Sequence, residues 1–113
     1  MNIRSRVEQD RRKTSRVMAR LACHFTFAGV SYEAVIVDLS LKGAYLSSKF
    51  LPPNNSTLTV SLEPPAVKKD LKFSGTVIRG TWAMSEHGKI GRFGVRFGAT
   101  PLDLIMLINS LNS

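Results

Sequence analysis

Apolar and polar residues alternate along most of the chain, which is the pattern of strands with one buried side and one solvent-facing side. The alternation predicts a first strand over residues 21–27, ended by Gly29, and a second over residues 32–39. A turn at 40–43 leads into a short returning strand at 44–48. The first half of the chain therefore predicts three consecutive antiparallel strands.

The second half continues in the same way. Three further strands are predicted at residues 57–62, 71–82 and 90–97. Loops rich in proline or polar residues separate them at 52–55, 63–69 and 84–89, and such residues favour turns over a sheet ladder. Gly75 and Gly80 mark bends or bulges within the long fifth strand. Six short strands joined by turns predict a mainly β fold, an antiparallel β-barrel.

The end of the chain follows a helical pattern instead. Thr100 is a helix-capping residue, with Pro101 at the first helical position and Asp103 in the first turn. One apolar stripe at helical spacing is expected to cap the barrel: Leu104, Leu107, Ile108 and Leu111.

A second apolar group on this helix consists of Leu102, Ile105 and Met106, and Asp103 is the one charged residue between 102 and 108. Surface helices normally have a polar face, so this group is expected to meet a second chain. That chain is either an output partner or another copy in a homodimer. The alternative is a helix buried on both sides within one chain.

Charge is distributed unevenly along the chain, which carries a net +8. Residues 1–20 hold seven basic and two acidic residues, a net of +5. We therefore predict a basic, flexible N-terminal arm over 1–20 and a barrel with its helix over 21–113. The arm indicates an anionic partner, which could be nucleic acid, a phosphorylated ligand or an anionic membrane. A merely solubilising tail is the alternative.

The composition limits the classes of protein that fit. A chain of 113 residues with 43% hydrophobic residues suits one globular domain. No apolar run approaches the roughly 18 residues that span a bilayer, and the basic N-terminus has no apolar stretch behind it. Cys23 has no partner for an internal disulfide, which fits a reducing compartment. We expect a cytoplasmic protein that does not enter membranes.

Catalytic and metal-binding patterns are missing from the sequence. His24 and His87 are far apart, and Cys23 and His24 point to opposite faces of a strand, so they make a poor joint metal site. No nucleophile elbow, phosphate-binding loop or metalloprotease helix occurs. We expect no enzymatic activity, no metal and no cofactor.

Two short segments carry the candidate binding chemistry. Arg12 and Arg16 form an Arg-x-x-x-Arg pair before the first predicted strand. Asp38, Ser40 and Gly43 form an Asp-x-Ser-x-x-Gly turn after the second. Each pattern is common by itself, and turns of the second kind close hairpins in many proteins. Together, in this order around two strands, they are much more specific.

With both segments the chain resembles the PilZ family of bacterial cyclic di-GMP receptors over about residues 11–97, as one domain of about 9–113. Residues 94–97, Gly-Val-Arg-Phe, are similar to the family's last-strand ending. The resemblance implies a six-stranded barrel followed by a helix. It also implies that Arg12 and Arg16 hold the guanines and phosphates of the ligand, while Asp38 and Ser40 contribute from the barrel surface.

Chemistry supports these roles. Arginine offers a planar fork to phosphate oxygens or to the O6 and N7 atoms of guanine, and ionised aspartate accepts from guanine N–H groups. Gly43 is expected to permit a positive φ and close approach of the ligand. In the family, an arginine at the position of Arg11 accompanies two stacked ligands, so we expect two cyclic di-GMP molecules per chain. Binding is expected to order the arm and to signal through an unknown output protein.

Two other functions remain open. A basic barrel could bind nucleic acid, but RNA-binding barrels expose aromatic stacking platforms. Most aromatic residues here follow core-facing strand patterns, which argues against nucleic acid as a partner: Phe25, Phe27, Phe73, Phe93 and Phe97. The second alternative is a protein-interaction adaptor that works without ligand.

Overall fold

Strand pairing closes the sheet into a barrel. The computed structural model describes residues 16–65, 67–99 and 102–112, and within them the chain forms six strands and a helix. The elements are β1 (Arg16–Phe27), β2 (Val30–Ser40), β3 (Gly43–Ser48), β4 (Thr57–Leu62), β5 (Leu71–Ser85), β6 (Gly88–Phe97) and helix α1 (Leu102–Asn112). All neighbouring strands are antiparallel in the order β1-β2-β3-β6-β5-β4, and β4 pairs with β1. The predicted fold is confirmed.

The first strand is longer than its alternation predicts. β1 begins at Arg16, so residues 16–20 belong to the barrel sheet rather than to an arm outside it. The register with β2 shifts between Met18 and Leu21. An extra residue in one strand reverses the inward and outward positions, so the period of two cannot be followed across it.

The β5–β6 hairpin is also longer than predicted. The ladder continues to the pair Ser85 and Gly88, leaving Glu86 and His87 as the turn, although residues 84–89 are mostly polar. Backbone ladder bonds form irrespective of side-chain polarity, which explains the difference. A register shift between Ile78 and Thr81 coincides with the bulge predicted at Gly80, whereas Gly75 lies in regular pairing.

The barrel interior is filled by the inward positions of all six strands. Phe25, Ile36 and Phe93 are fully buried. Phe25 also packs edge-on against Phe93, with ring centroids 5.4 Å apart. Leu104 and Ile108 of α1 join this core, and Leu107 and Leu111 pack against it. The capping stripe predicted for the helix is therefore confirmed.

The second apolar group of α1 remains outside this core. Leu102 and Met106 are 68% and 60% exposed, and Ile105 is half-buried. Between α1 and the loop at 63–70 lies a groove of about 680 Å³, with Met106 in its lining. None of the described helical segments is long and apolar enough to cross a bilayer. The helix thus covers the barrel with one side and presents apolar surface on another.

Candidate functional site

The candidate site lies where β2 turns into β3. Ile36 and Leu39 are both fully buried although they are three residues apart, and the register with β3 shifts between Ile36 and Asp38. In an unbroken strand, Asp38 would share the inward face with Ile36. The shift instead places Asp38, half-buried, opposite Tyr45, whose neighbours on β3 point inward. The irregularity therefore removes the carboxylate from the core.

The β1–β2 register brings the two sequence motifs together. Met18 lies opposite Asp38, and Arg16 lies opposite Ser40. The last residue of the Arg-x-x-x-Arg segment is therefore a direct cross-strand neighbour of the Asp-x-Ser-x-x-Gly turn. Arg11 and Arg12, the other predicted ligand-binding arginines, lie outside the described residues, as does most of the predicted arm.

Ser40 closes the turn. Its hydroxyl donates to the Gly43 carbonyl at 3.3 Å and accepts from the Lys42 N–H at 3.3 Å. A serine hydroxyl has one hydrogen and two lone pairs, so one lone pair stays available. The structural role of a hairpin serine is present here, and any ligand contact is additional to it.

Gly43 is needed for a different reason from the one predicted. The glycines with positive φ in the described residues are Gly29 and Gly88, so Gly43 does not use the left-handed region. A Cβ atom at Gly43 would lie 2.5 Å from the carbonyl oxygen of Val95 on β6. The Phe97 N–H donates to the Lys42 carbonyl at 2.8 Å, which holds β6 close to the turn. The glycine therefore permits close approach of a strand.

Sequence reasoning missed a cation beside this turn. Arg96 on β6 lies opposite Gly43 and is exposed. From sequence alone, Arg96 stands out only as part of the strand ending at residues 94–97. The signal was available in β6, since Phe93, Val95 and Phe97 alternate as core residues and leave Arg96 on the outer face. The β3–β6 pairing, however, is not readable from local sequence.

The remaining candidate chemistry is spread over the barrel. His24 lies half-buried on β1 opposite Glu33, and His87 lies in the β5–β6 turn. Within the described part of the chain, no three potential metal-ligating side chains come together. Burial raises the pKa of the Cys23 thiol from 9.0 to about 12, against a smaller lowering by a backbone hydrogen bond from Ile36. A thiol that stays protonated is a poor nucleophile.

Exposed aromatic surface is limited. Phe25, Phe73, Phe93 and Phe97 are buried, and Phe27 is partly buried against the core. Among the described residues, Trp82 is the large aromatic residue with high exposure, at 47%, and the Lys89 ammonium lies 5.1 Å from its ring centroid. The barrel strands therefore offer one exposed ring rather than the row of rings on which successive bases stack.

Sequence comparison identifies a domain family. The sequence profile of the PilZ domain matches residues 10–111, which is nearly the whole chain. No curated protein sequence is significantly similar to it.

Solved structures show the same barrel. The PilZ domain of YcgR from Escherichia coli, solved with c-di-GMP, superposes with a TM-score of 0.68 at 17% identity, covering 90% of this chain and 92% of that one. The Bacillus subtilis inhibitor of motility, MotI/DgrA, superposes with a TM-score of 0.64 at 10% identity, covering 89% of this chain and 49% of that one. PlzA of Borreliella burgdorferi, in complex with c-di-GMP, gives 0.63 at 10% identity, with coverages of 95% and 54%. The chain spans about half the length of the last two proteins, and the likeness to all three concerns the fold.

Proposed function

Because the chain belongs to the PilZ domain family, we propose that it is a receptor for cyclic di-GMP that signals through a partner protein and has no catalytic activity of its own. The observation that carries this proposal is the register of β1 against β2, which sets Arg16 directly opposite Ser40. The last residue of one motif is thereby a cross-strand neighbour of the other motif, although a whole hairpin separates them in sequence. We expect the receptor to act in the cytoplasm.

The chemistry of the turn suits a guanine nucleotide. Asp38 is half-buried on the outer face, where an ionised carboxylate accepts from the N1–H and amino groups of guanine. The Ser40 hydroxyl already donates its hydrogen to the Gly43 carbonyl, so its free lone pair can accept from a donor on the base. The arginines complement these acceptors, because a guanidinium binds phosphate oxygens or the O6 and N7 edge of guanine.

We further propose that Arg11 supports a second ligand molecule stacked on the first, and that ligand binding changes the conformation of the N-terminal arm. A third guanidinium offsets the added phosphate charge and can stack on a purine. The arm is rich in charged residues and poor in apolar ones. Contacts with the phosphates of the ligand are therefore expected to determine its conformation.

Calorimetric titration with cyclic di-GMP, with cyclic di-AMP and GTP as controls, tests this function. We expect cyclic di-GMP to bind and the two control nucleotides not to bind. The number of cyclic di-GMP molecules per chain should approach two in the wild-type chain and fall towards one in Arg11→Ala. Charge-assisted hydrogen bonds contribute about 1.5–3 kcal/mol, so Arg16→Ala, Arg12→Ala or Asp38→Ala should weaken binding roughly tenfold or more. Arg20→Ala is the matched control, since Arg20 is an exposed arginine of the same strand. Unchanged affinity in Arg16→Ala would falsify the assigned site.

We propose that the exposed apolar side of α1 contacts a second chain, either the output protein or another copy. Leu102 and Met106 are well exposed beside the groove, and the ion pair between Lys69 and Asp103, at 3.7 Å, lies at its rim. Met106→Glu should abolish association while leaving folding and ligand binding intact, because the side chain is already in water. Leu107→Glu, which places a charge against the core, should instead destabilise the fold. Light scattering with and without candidate partners measures association, and an unchanged mass distribution in Met106→Glu excludes this surface.

A further inference from the structure

The outer face of β6 carries two arginines that none of the binding motifs includes. Phe93, Val95 and Phe97 point into the barrel, so the alternate residues Arg92, Gly94 and Arg96 face outward. Both arginines are exposed. Gly94 between them has no side chain, and a Cβ there would lie 3.0 Å from the side chain of Ile78 on β5. Gly94 is itself buried, so the Ile78 side chain covers the stretch between the two arginines.

The two arginines differ in their distance from the candidate site. Arg96 lies opposite Gly43, the last residue of the Asp-x-Ser-x-x-Gly turn. Paired strands are roughly 4.8 Å apart, and an extended arginine side chain is longer than that spacing. Arg92 lies opposite Ser47, and four residues along a strand correspond to about 13 Å. Of the two arginines, Arg96 is therefore the one that lies directly beside the turn.

The sheet order places Arg96 across the turn from Arg16. Ser40 is flanked by Arg16 on β1, and Gly43 is flanked by Arg96 on β6. The turn therefore has an arginine-bearing strand on each side. Cyclic di-GMP carries two phosphates on one ring, so a ligand lying over the turn would lie between two strands that each carry an arginine.

The Arg96 side chain is exposed on the outer face of β6. In the described ranges, no ion pair joins Arg96 to a carboxylate; the ion pair seen there links Lys69 and Asp103, at the helix. An exposed guanidinium retains its five N–H donors for an incoming phosphate. Since two charge-assisted bonds to one phosphate are stronger than neutral bonds, such a residue should contribute measurably to binding.

We propose that Arg96 is a further phosphate-binding residue, which holds the cyclic dinucleotide from β6 on the side of the turn opposite Arg16. This inference rests on the proposed function, because it concerns the same ligand and extends the same site. The role differs from long-range attraction, which every arginine on the barrel exerts.

Two substitutions on one strand separate these effects. Arg96→Gln and Arg92→Gln each remove one exposed positive charge from the outer face of β6, so any long-range loss is similar in both. In calorimetric titration with cyclic di-GMP, Arg96→Gln should weaken binding about tenfold or more, and Arg92→Gln less than twofold. Arg96→Lys should recover only part of the affinity, because an ammonium cannot form the bidentate contact.

A spectroscopic measurement on the unmodified chain supplies a second readout. The side-chain Nε–H resonance of Arg96, identified by its absence from Arg96→Gln, should shift on addition of cyclic di-GMP, while that of Arg92 stays in place. If the wild-type chain binds no cyclic di-GMP, the proposed function itself fails. If it binds and Arg16→Ala weakens binding, but the two glutamine variants behave alike and the Arg96 resonance does not move, the inference about Arg96 is wrong.

Discussion

The barrel contains two turns built on the same Ser-x-x-Gly pattern, and only one of them belongs to the candidate site. At the β2–β3 turn, the Ser40 hydroxyl donates to Gly43 and accepts from Lys42, both at 3.3 Å. At the β5–β6 turn, the Ser85 hydroxyl donates to the Gly88 carbonyl at 2.8 Å and accepts from the His87 N–H at 3.2 Å. The hydrogen-bond pattern is the same, so the pattern itself is a device for closing hairpins.

The glycines of the two turns serve different purposes. Gly88 has a φ of +107°, and a Cβ atom there would meet nothing within 4 Å. Its role is conformational freedom. Gly43 has no positive φ, but a Cβ atom would lie 2.5 Å from the Val95 carbonyl. Its role is to let β6 lie against the turn, which also brings Arg96 beside it.

The surroundings of the two turns differ more than the turns do. Two residues before Ser40 stands Asp38, whereas two residues before Ser85 stands Ala83. At the first turn, β2 pairs with β1 and β3 pairs with β6, so a further strand flanks the turn on each side. At the second turn, β5 and β6 pair only with each other near the tip, as far as the structure describes the chain. If the proposed function holds, ligand binding should require the acid and the flanking strands in addition to the turn.

Substituting the two glycines should produce the largest effect. Gly43→Ala forces a methyl group against a backbone atom that cannot rotate away, and overpacking of this kind costs about 1–3 kcal/mol. It should also displace β6 and so weaken ligand binding. Gly88→Ala should cost roughly 1–2 kcal/mol through its left-handed backbone while leaving binding unchanged. Urea unfolding and titration of each variant measure both quantities, and equal losses of affinity would contradict the distinction.

The serines provide a finer test, because both hydroxyls make the same bonds. Ser40→Ala and Ser85→Ala should each lower the free energy of unfolding by about 0.5–1.5 kcal/mol, the usual net contribution of a hydrogen bond. Ligand affinity should fall only in Ser40→Ala. Thermal unfolding followed by titration gives both numbers for each variant. If Ser85→Ala also weakens binding, the second turn is coupled to the site and the comparison fails.

The strand pattern was predictable because burial on one side of a sheet imposes a period of two on the sequence. The prediction failed where that period is interrupted, as at the start of β1, where the register shifts between Met18 and Leu21. The prediction of a loop at 84–89 failed for another reason: polar residues form the same backbone ladder as apolar ones, so the strands continue without an apolar pattern.

The site was predictable only as two separate motifs. The adjacency of Arg16 and Ser40 depends on the exact β1–β2 register, which a single shifted residue would change. The position of Arg96 beside the turn depends on the pairing of β3 with β6, and two other strands separate these in sequence. Such non-local pairing follows from closure of the whole barrel, so no local pattern marks Arg96 as a neighbour of Gly43.

The smallest expected effect comes from completing the motif at the second turn. Ala83→Asp converts residues 83–88 into Asp-Met-Ser-Glu-His-Gly, an Asp-x-Ser-x-x-Gly segment with an intact turn. Ala83 is half-buried opposite Ile90, so the substitution should be tolerated with a modest loss of stability. No further ligand should bind, because in the described part of the chain β1 does not pair with this hairpin. Titration should therefore give the wild-type number of cyclic di-GMP molecules.

The double variant Ala83→Asp/Asp38→Ala isolates the new segment, and it should bind no better than Asp38→Ala alone. Recovered affinity in the double variant would mean that the acid and the turn suffice by themselves, and that the flanking strands are not required for recognition.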